Sequence, residues 1–205
     1  IWTVLIILAV AAPAIILHEV AHGWMASRLG DGTAREAGRL TLNPLKHIDP
    51  FGTVVLPVLL YLPYLLGWSS GLFLFGYAKP VPVDPRRFHS PRMGMMLVRL
   101  AGPLTNLLIA FFCAKAALAI GPGPLSRVLV LSTMFNLGLA LFNLIPIPPL
   151  DGSGIWYAIL PPQALRVVAR FDNMSGILVV FVLLQLGWLD FIGGFIAGGM
   201  RLLGL

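Results

Sequence analysis

Residues 16–22 read Ile16-Leu17-His18-Glu19-Val20-Ala21-His22, two histidines and a glutamate set into a stretch, 2–29, that is otherwise written for lipid. A segment crosses the hydrocarbon when it supplies roughly 20 mostly apolar residues, and 2–29 does so in spite of these three side chains. It is read as a membrane helix that carries chemistry in its interior.

The rest of the chain agrees with a membrane setting. Of 205 residues 58% are hydrophobic and 11% charged, with a mean hydropathy of +0.90, whereas soluble domains carry about 25% charged residues. Three further stretches, 97–119, 125–147 and 176–198, are long and apolar enough to span or nearly so. The expectation is an all-α polytopic membrane protein with one domain over 1–205. The chain opens on Ile1 rather than Met, so a lost leader stays open. The first stretch is expected to be a retained helix, being too long for a signal peptide and lacking a basic n-region. Cys113, the single cysteine, has no partner for an intrachain disulfide and reads as packing.

A formal charge of +6 would suit a nucleic-acid partner only if the basic residues were gathered in one run or interleaved with exposed aromatics. They are not, so no nucleic-acid partner is expected. Eleven of the 14 basic residues fall in or beside the loops 30–50, 79–99 and 148–175. Lys and Arg accumulate on the cytoplasmic side of membranes, which places these three loops on that side.

That sidedness requires residues 52–78 to enter and leave on one face. Pro57, Pro63, Gly67 and Gly71 break this apolar segment, and it reads as a re-entrant hairpin, tolerated where protein or a wet cavity covers its backbone. "GRLTLNPLKHIDPFG" before it suits short extended, β-like pieces. Gly30-Asp31-Gly32 ends the first helix, and Gly-Pro-Gly-Pro at 121–124 joins two later ones.

On a helix His18 and His22 share one face, where two imidazoles can grip one zinc ion with Glu19 beside them as general base. An ionisable group at membrane depth costs about 2.5–3.5 kcal/mol even on lenient scales, so it is read as functional by default. A catalytic zinc takes a third protein ligand. The candidates are His47, His89, Asp49, Asp84, Asp151, Asp172 and Asp190. Asp151 stands out because "FNLIPIPPLDG" inserts a carboxylate among apolar residues and prolines at the end of a long apolar helix. His47 and His89 read as loop histidines, solvated or structurally bonded, and Trp68 and Tyr77 as interfacial anchors.

His18-Glu19-Val20-Ala21-His22 and Asn143-Leu144-Ile145-Pro146-Ile147-Pro148-Pro149-Leu150-Asp151-Gly152 together resemble the paired HExxH and NxxPxPxLDG signature of the site-2 protease family, the intramembrane zinc metalloproteases. "AGPLTN" at 101–106 is similar to the family's Gly-x-x-x-Asn element, and "LNPLKHIDPFG" and "AKPVPVDP" look like its compact members without PDZ or CBS domains. The resemblance covers nearly the whole chain. It implies a core of three transmembrane helices plus additional helices, and one Zn2+ per chain held by His18, His22 and Asp151. It also implies Glu19 as base, Asn143 as a donor to the oxyanion and Asn106 as a weaker candidate for binding substrate backbone. The expected partners are a transmembrane protein substrate and the lipid bilayer; oligomeric state stays open.

An unwound substrate needs replacement hydrogen-bond partners, which part of 38–50 or 72–83 could offer as an extended edge. The competing reading is a divalent-metal transporter, which would need further polar residues along a path. The helices hold mainly Ser, Thr, Asn and Gln, with Lys115 near one end, which favours the enzyme. A catalytically dead scaffold is disfavoured by the intact Glu19.

Overall fold

The computed structural model describes residues 2–67, 76–171, 174–185, 187 and 191–205, and the described residues contain helices, turns and extended loop but no strand. Among the described residues three helices are long and apolar enough to cross a membrane, which makes this a multi-pass membrane protein. The first, α1 (Trp2–Arg28), ends where Gly30 takes φ +106°, a left-handed cap conformation that glycine adopts without strain. A single turn, α2 (Thr33–Glu36), follows.

Residues 39–49 form bends and a 3-10 turn at Pro44–Lys46 in place of the extended pieces expected there, because Asn43 caps that turn by accepting the Leu45 N–H. A wide helical turn over Pro50–Val55, capped by Asp49, then runs into α3 (Leu56–Leu65). Residues 68–75, and with them Trp68 and the turn expected in the hairpin, lie outside the described residues. The chain resumes beside its point of departure: Tyr77 N–H donates to Gly52 O at 3.1 Å, and the Tyr77 ring covers Gly52 so closely that a Cβ there has no room.

The second spanning helix, α4, runs over Pro91–Ile120, six residues earlier than the apolar stretch suggested, since Pro91 sits in its first turn, where a missing N–H costs nothing. Arg92 therefore belongs to the same helix as Arg99. α4 buries Gly94, Val98, Ala101, Gly102, Asn106, Ala110, Ala114 and Ala117, mostly small residues three or four apart that let other helices approach closely. Leu104, Leu108, Phe111 and Phe112 point outward and are exposed, as suits a lipid-facing side. α5 (Pro124–Asn143) and α1 both pack on α4 and touch each other. Cys113 does prove a packing residue, its Sγ 3.6 Å from Ser132 Oγ between α4 and α5.

α5 stops at Asn143 rather than 147, because Pro146, Pro148 and Pro149 supply no N–H to continue it. After these turns come α6 (Gly154–Ile159), α7 (Pro162–Val168), α8 (Met174–Gln185) and α9 (Phe191–Leu203). The fourth apolar stretch is thus two short helices rather than one span, with Gly187 at φ +71° between them. α9 packs on α5, where Gly199 lies against Leu137 and Gly138 against Ile196.

Candidate metal centre

His18 and His22 project from one face of α1 and are buried, their ring centroids 4.6 Å apart. Asp151 reaches them from the turns after α5: its Oδ2 lies 3.0 Å from His18 Nε2 and 3.3 Å from His22 Nε2. One ligand atom from each of the three residues falls within 4.8 Å of the others.

Local sequence explains why Asp151 arrives there. Gly152 presses on the Leu144 and Ile145 backbone with no space for a Cβ, and a Cβ on Gly154 would stand 2.8 Å from Arg99 Cβ. Arg99 Nη1 donates to Ser153 Oγ at 2.5 Å, Ser153 Oγ donates to Leu150 O at 2.7 Å, and Trp156 Nε1 donates to Pro146 O at 2.7 Å. The segment after α5 is thereby bound back onto α4 and onto itself. Arg92, also on α4, donates to the Tyr157, Ala158 and Leu160 carbonyls, satisfying the end of α6.

The imidazoles are fixed from behind. His22 Nδ1 donates to Val98 O at 2.7 Å and His18 Nδ1 to Asn106 Oδ1 at 2.6 Å; both oxygens can only accept, so both protons sit on Nδ1. Each Nε2 then brings a lone pair to the centre. There they meet Asp151 Oδ2, which is buried with no hydrogen-bond donor. Three lone pairs converging in a buried space call for a cation, and the donor set of two imidazoles and one carboxylate, each histidine anchored through its other nitrogen, suits zinc. Gly102 makes room for this: a Cβ there would lie 2.5 Å from His22 Nε2 and 2.7 Å from His18 Cε1.

Glu19 faces another part of the molecule. Its Oε2 accepts the Val81 N–H at 3.0 Å from an extended strap, 76–84. The strap is also pinned on either side of Val81: Lys79 N–H donates to His47 O at 2.9 Å, buried Arg39 donates to Lys79 O at 2.6 Å, and Asp84 N–H donates to Asp31 Oδ2 at 2.7 Å.

Among the described third-ligand candidates, Asp151 alone joins the histidines. His47 is buried but bonded through Nε2 to Thr41 O, and His89 contacts Leu29 O. Asp49 caps a turn and Asp84 pairs with Arg86; Asp172 and Asp190 lie outside the described residues. Tyr77 is half-buried against Gly52. Asn143 donates to Leu139 O at 2.9 Å. Asn106 faces His18 from inside the bundle, where it is fully buried. Sequence reasoning missed the parts played by Gly102, Arg99 and Asn136; the Gly-x-x-x-Asn spacing and an asparagine within an apolar helix were the available signals.

Among curated proteins the chain is 38% identical over 178 residues to "Putative zinc metalloprotease YwhC" of Bacillus subtilis, covering 81% of this chain and 75% of that one. It is 33% identical over 172 residues to "Putative zinc metalloprotease Rip2" of Mycolicibacterium smegmatis, covering 82% of this chain and 62% of the relative. A shorter match, 42% over 59 residues, links 28% of this chain to 31% of "Putative zinc metalloprotease MJ0611" of Methanocaldococcus jannaschii. No protein-family model matches the chain, and no solved structure does.

Proposed function

The chain belongs to the site-2-protease-like family of zinc metalloproteases represented by YwhC and Rip2, and we propose that it hydrolyses peptide bonds of transmembrane segments inside the bilayer. The observation that carries this reading is the meeting of His18, His22 and Asp151 inside a bundle of apolar helices. His18 lies ten residues before the end of α1, about 15 Å of helix, which is half of a hydrocarbon core of roughly 30 Å.

His18, His22 and Asp151 would hold the metal. Zinc, when bound, supplies a Lewis acid that lowers the pKa of a water it holds and polarises a peptide carbonyl. Glu19 is the general base: with Oε2 oriented by Val81, Oε1 is left to take the proton of the attacking water and hand it to the leaving nitrogen. Asn143 uses one amide hydrogen on Leu139 O and has a second for the developing oxyanion.

The return of the chain from Gly52 to Tyr77 supports a re-entrant hairpin over 52–78 and the shared cytoplasmic side of the basic loops. Of the two stretches expected to offer an edge, 38–50 is bent and turned, so an unwound substrate pairs along the described part of 72–83. Tyr77, Lys79 and Val81 turn their N–H groups inward, and Pro80 and Pro82 have none. The outer edge of the described strap therefore offers carbonyls to a substrate's amides while resisting a full ladder with another edge.

The test is zinc content by elemental analysis together with cleavage of a detergent-solubilised model transmembrane substrate, for the wild type and Glu19→Gln. Zinc near one per chain in both, with cleavage lowered about 10²–10⁴-fold in the variant, is expected. A well-folded wild type without zinc would overturn the reading. Zinc in both with equal cleavage would remove Glu19 as base, and vesicle uptake of zinc without cleavage would favour a transporter.

A further inference from the structure

The two histidines are anchored by different means. His22 gives its Nδ1 proton to a backbone carbonyl, Val98 O, whose direction the helix fixes. His18 gives its proton to the side-chain amide of Asn106, a group that can turn over and offer NH2 in place of oxygen. Something must decide which way it points.

We propose that Asn136 and Asn106 form a relay of amides that fixes the tautomer and orientation of His18, so that α5 controls a ligand carried by α1. The relay rests on the zinc reading above and adds two positioning residues to it. It starts at a group that can only accept: Asn136 Nδ2 donates to Ser132 O of its own helix at 2.9 Å. Asn136 Oδ1 consequently faces α4 and accepts Asn106 Nδ2 at 2.8 Å. The same Asn106 nitrogen donates to Ala14 O on α1 at 3.2 Å. Both amide hydrogens are then committed, and Oδ1 is left facing His18.

An amide oxygen there demands a proton on Nδ1 and leaves the Nε2 lone pair turned toward Asp151 and His22. Asn106 is 0% exposed and Asn136 1%, so water does not compete for these groups. Groups that orient a metal-binding imidazole through its other nitrogen are worth about 10–100-fold in metal affinity. Asparagine also joins membrane helices with no such role, and the measurement has to separate the two.

Zinc affinity by chelator competition and thermal unfolding of the zinc-free full chain in detergent would be measured for the wild type, Asn106→Leu, Asn106→Asp and Asn136→Leu. Asn106→Leu is expected to weaken zinc about 10–100-fold. Asn106→Asp is expected to bind zinc more tightly than Asn106→Leu, since a carboxylate oxygen accepts the same Nδ1 proton, although the Ala14 and Asn136 oxygens lose their donors. Asn136→Leu is expected to fall between them, because it frees Asn106 to turn, and it keeps the test open if Asn106→Leu does not fold.

Leu variants that bind zinc like the wild type would overturn the relay. So would Asn106→Asp weakening zinc as much as Asn106→Leu while both lower zinc-free stability alike, the pattern of plain packing. A wild type that takes up no zinc would instead remove the metalloprotease reading, and the relay with it.

Discussion

The two sides of the candidate centre are built differently. On the bundle side, one face of α4 holds the ligands from positions four residues apart: Val98 O on His22, Gly102 against both rings and Asn106 on His18. Every one of these residues is buried. On the strap side the buried Val81 side chain lies over Gly23 of α1, and Glu19 receives one backbone hydrogen bond, from the Val81 N–H. It comes from a segment without secondary structure that is held through backbone groups of neighbouring loops. On the proposed reading, with His18, His22 and Asp151 as ligands and Glu19 as base, packing keeps the ligands in place and the strap orients the base, so the contrast separates metal retention from proton transfer.

Gly102→Val strikes the bundle side hardest. Its Cβ would start 2.5 Å from the His22 ring, and since overpacking a core costs about 1–3 kcal/mol the fold should persist while the imidazoles are displaced. Zinc content of the purified variant should fall to background with cleavage lost. Retained zinc would show that the bundle side yields more than its burial implies.

Val81→Pro strikes the strap side by removing the N–H that Glu19 accepts. A hydrogen bond to a charged group is worth about 1.5–3 kcal/mol, so kcat is expected to drop about tenfold or more with zinc content unchanged, whereas Val81→Ala keeps the N–H and wild-type turnover. Loss of zinc in the proline variant would erase the division between the two sides.

The smallest effect concerns how the strap is tied down. Burial taken alone would raise the Asp31 carboxyl, but hydrogen bonds from the Thr33 hydroxyl and from the Asp84 and Thr33 amides outweigh it, and Arg87 adds to them, so the group is held below its ordinary value. A depressed folded value contributes stability that is present above the unfolded pKa of about 3.9 and is lost as pH falls through the folded one. The wild type should therefore lose thermal stability below about pH 4 more steeply than Asp31→Asn, which lacks that titration. Parallel pH profiles would show that Asp31 is not a charged anchor for Asp84.

The ligands were legible because their chemistry conflicts with their surroundings. Two imidazoles four residues apart in an apolar helix, and a carboxylate among prolines, have few uses in lipid apart from binding a cation. Asn106 was singled out only through the Gly-x-x-x-Asn resemblance and as a substrate contact; an Asn in an apolar helix bonds to whatever the packing brings near, and the packing brought His18. Arg92 read as a loop charge, and Arg99 as a charge at the loop's edge, because charge was equated with the membrane surface. Pro91 starts the helix before them, and they serve carbonyls at the end of α6 and Ser153 beside Asp151.

The sequence alone determined the membrane setting, the three long helices and the identity of the residues that converge, since hydropathy and residue chemistry act locally and can be read along the chain. Only the tertiary structure decided what stands behind those residues. That Val98 supplies a carbonyl, that Gly102 supplies a space and that Asn136 directs Asn106 are facts about distances between helices. They arise because small residues on α4 let α1 and α5 come close enough for their polar groups to find each other instead of water, and residue type by itself does not encode which groups will meet.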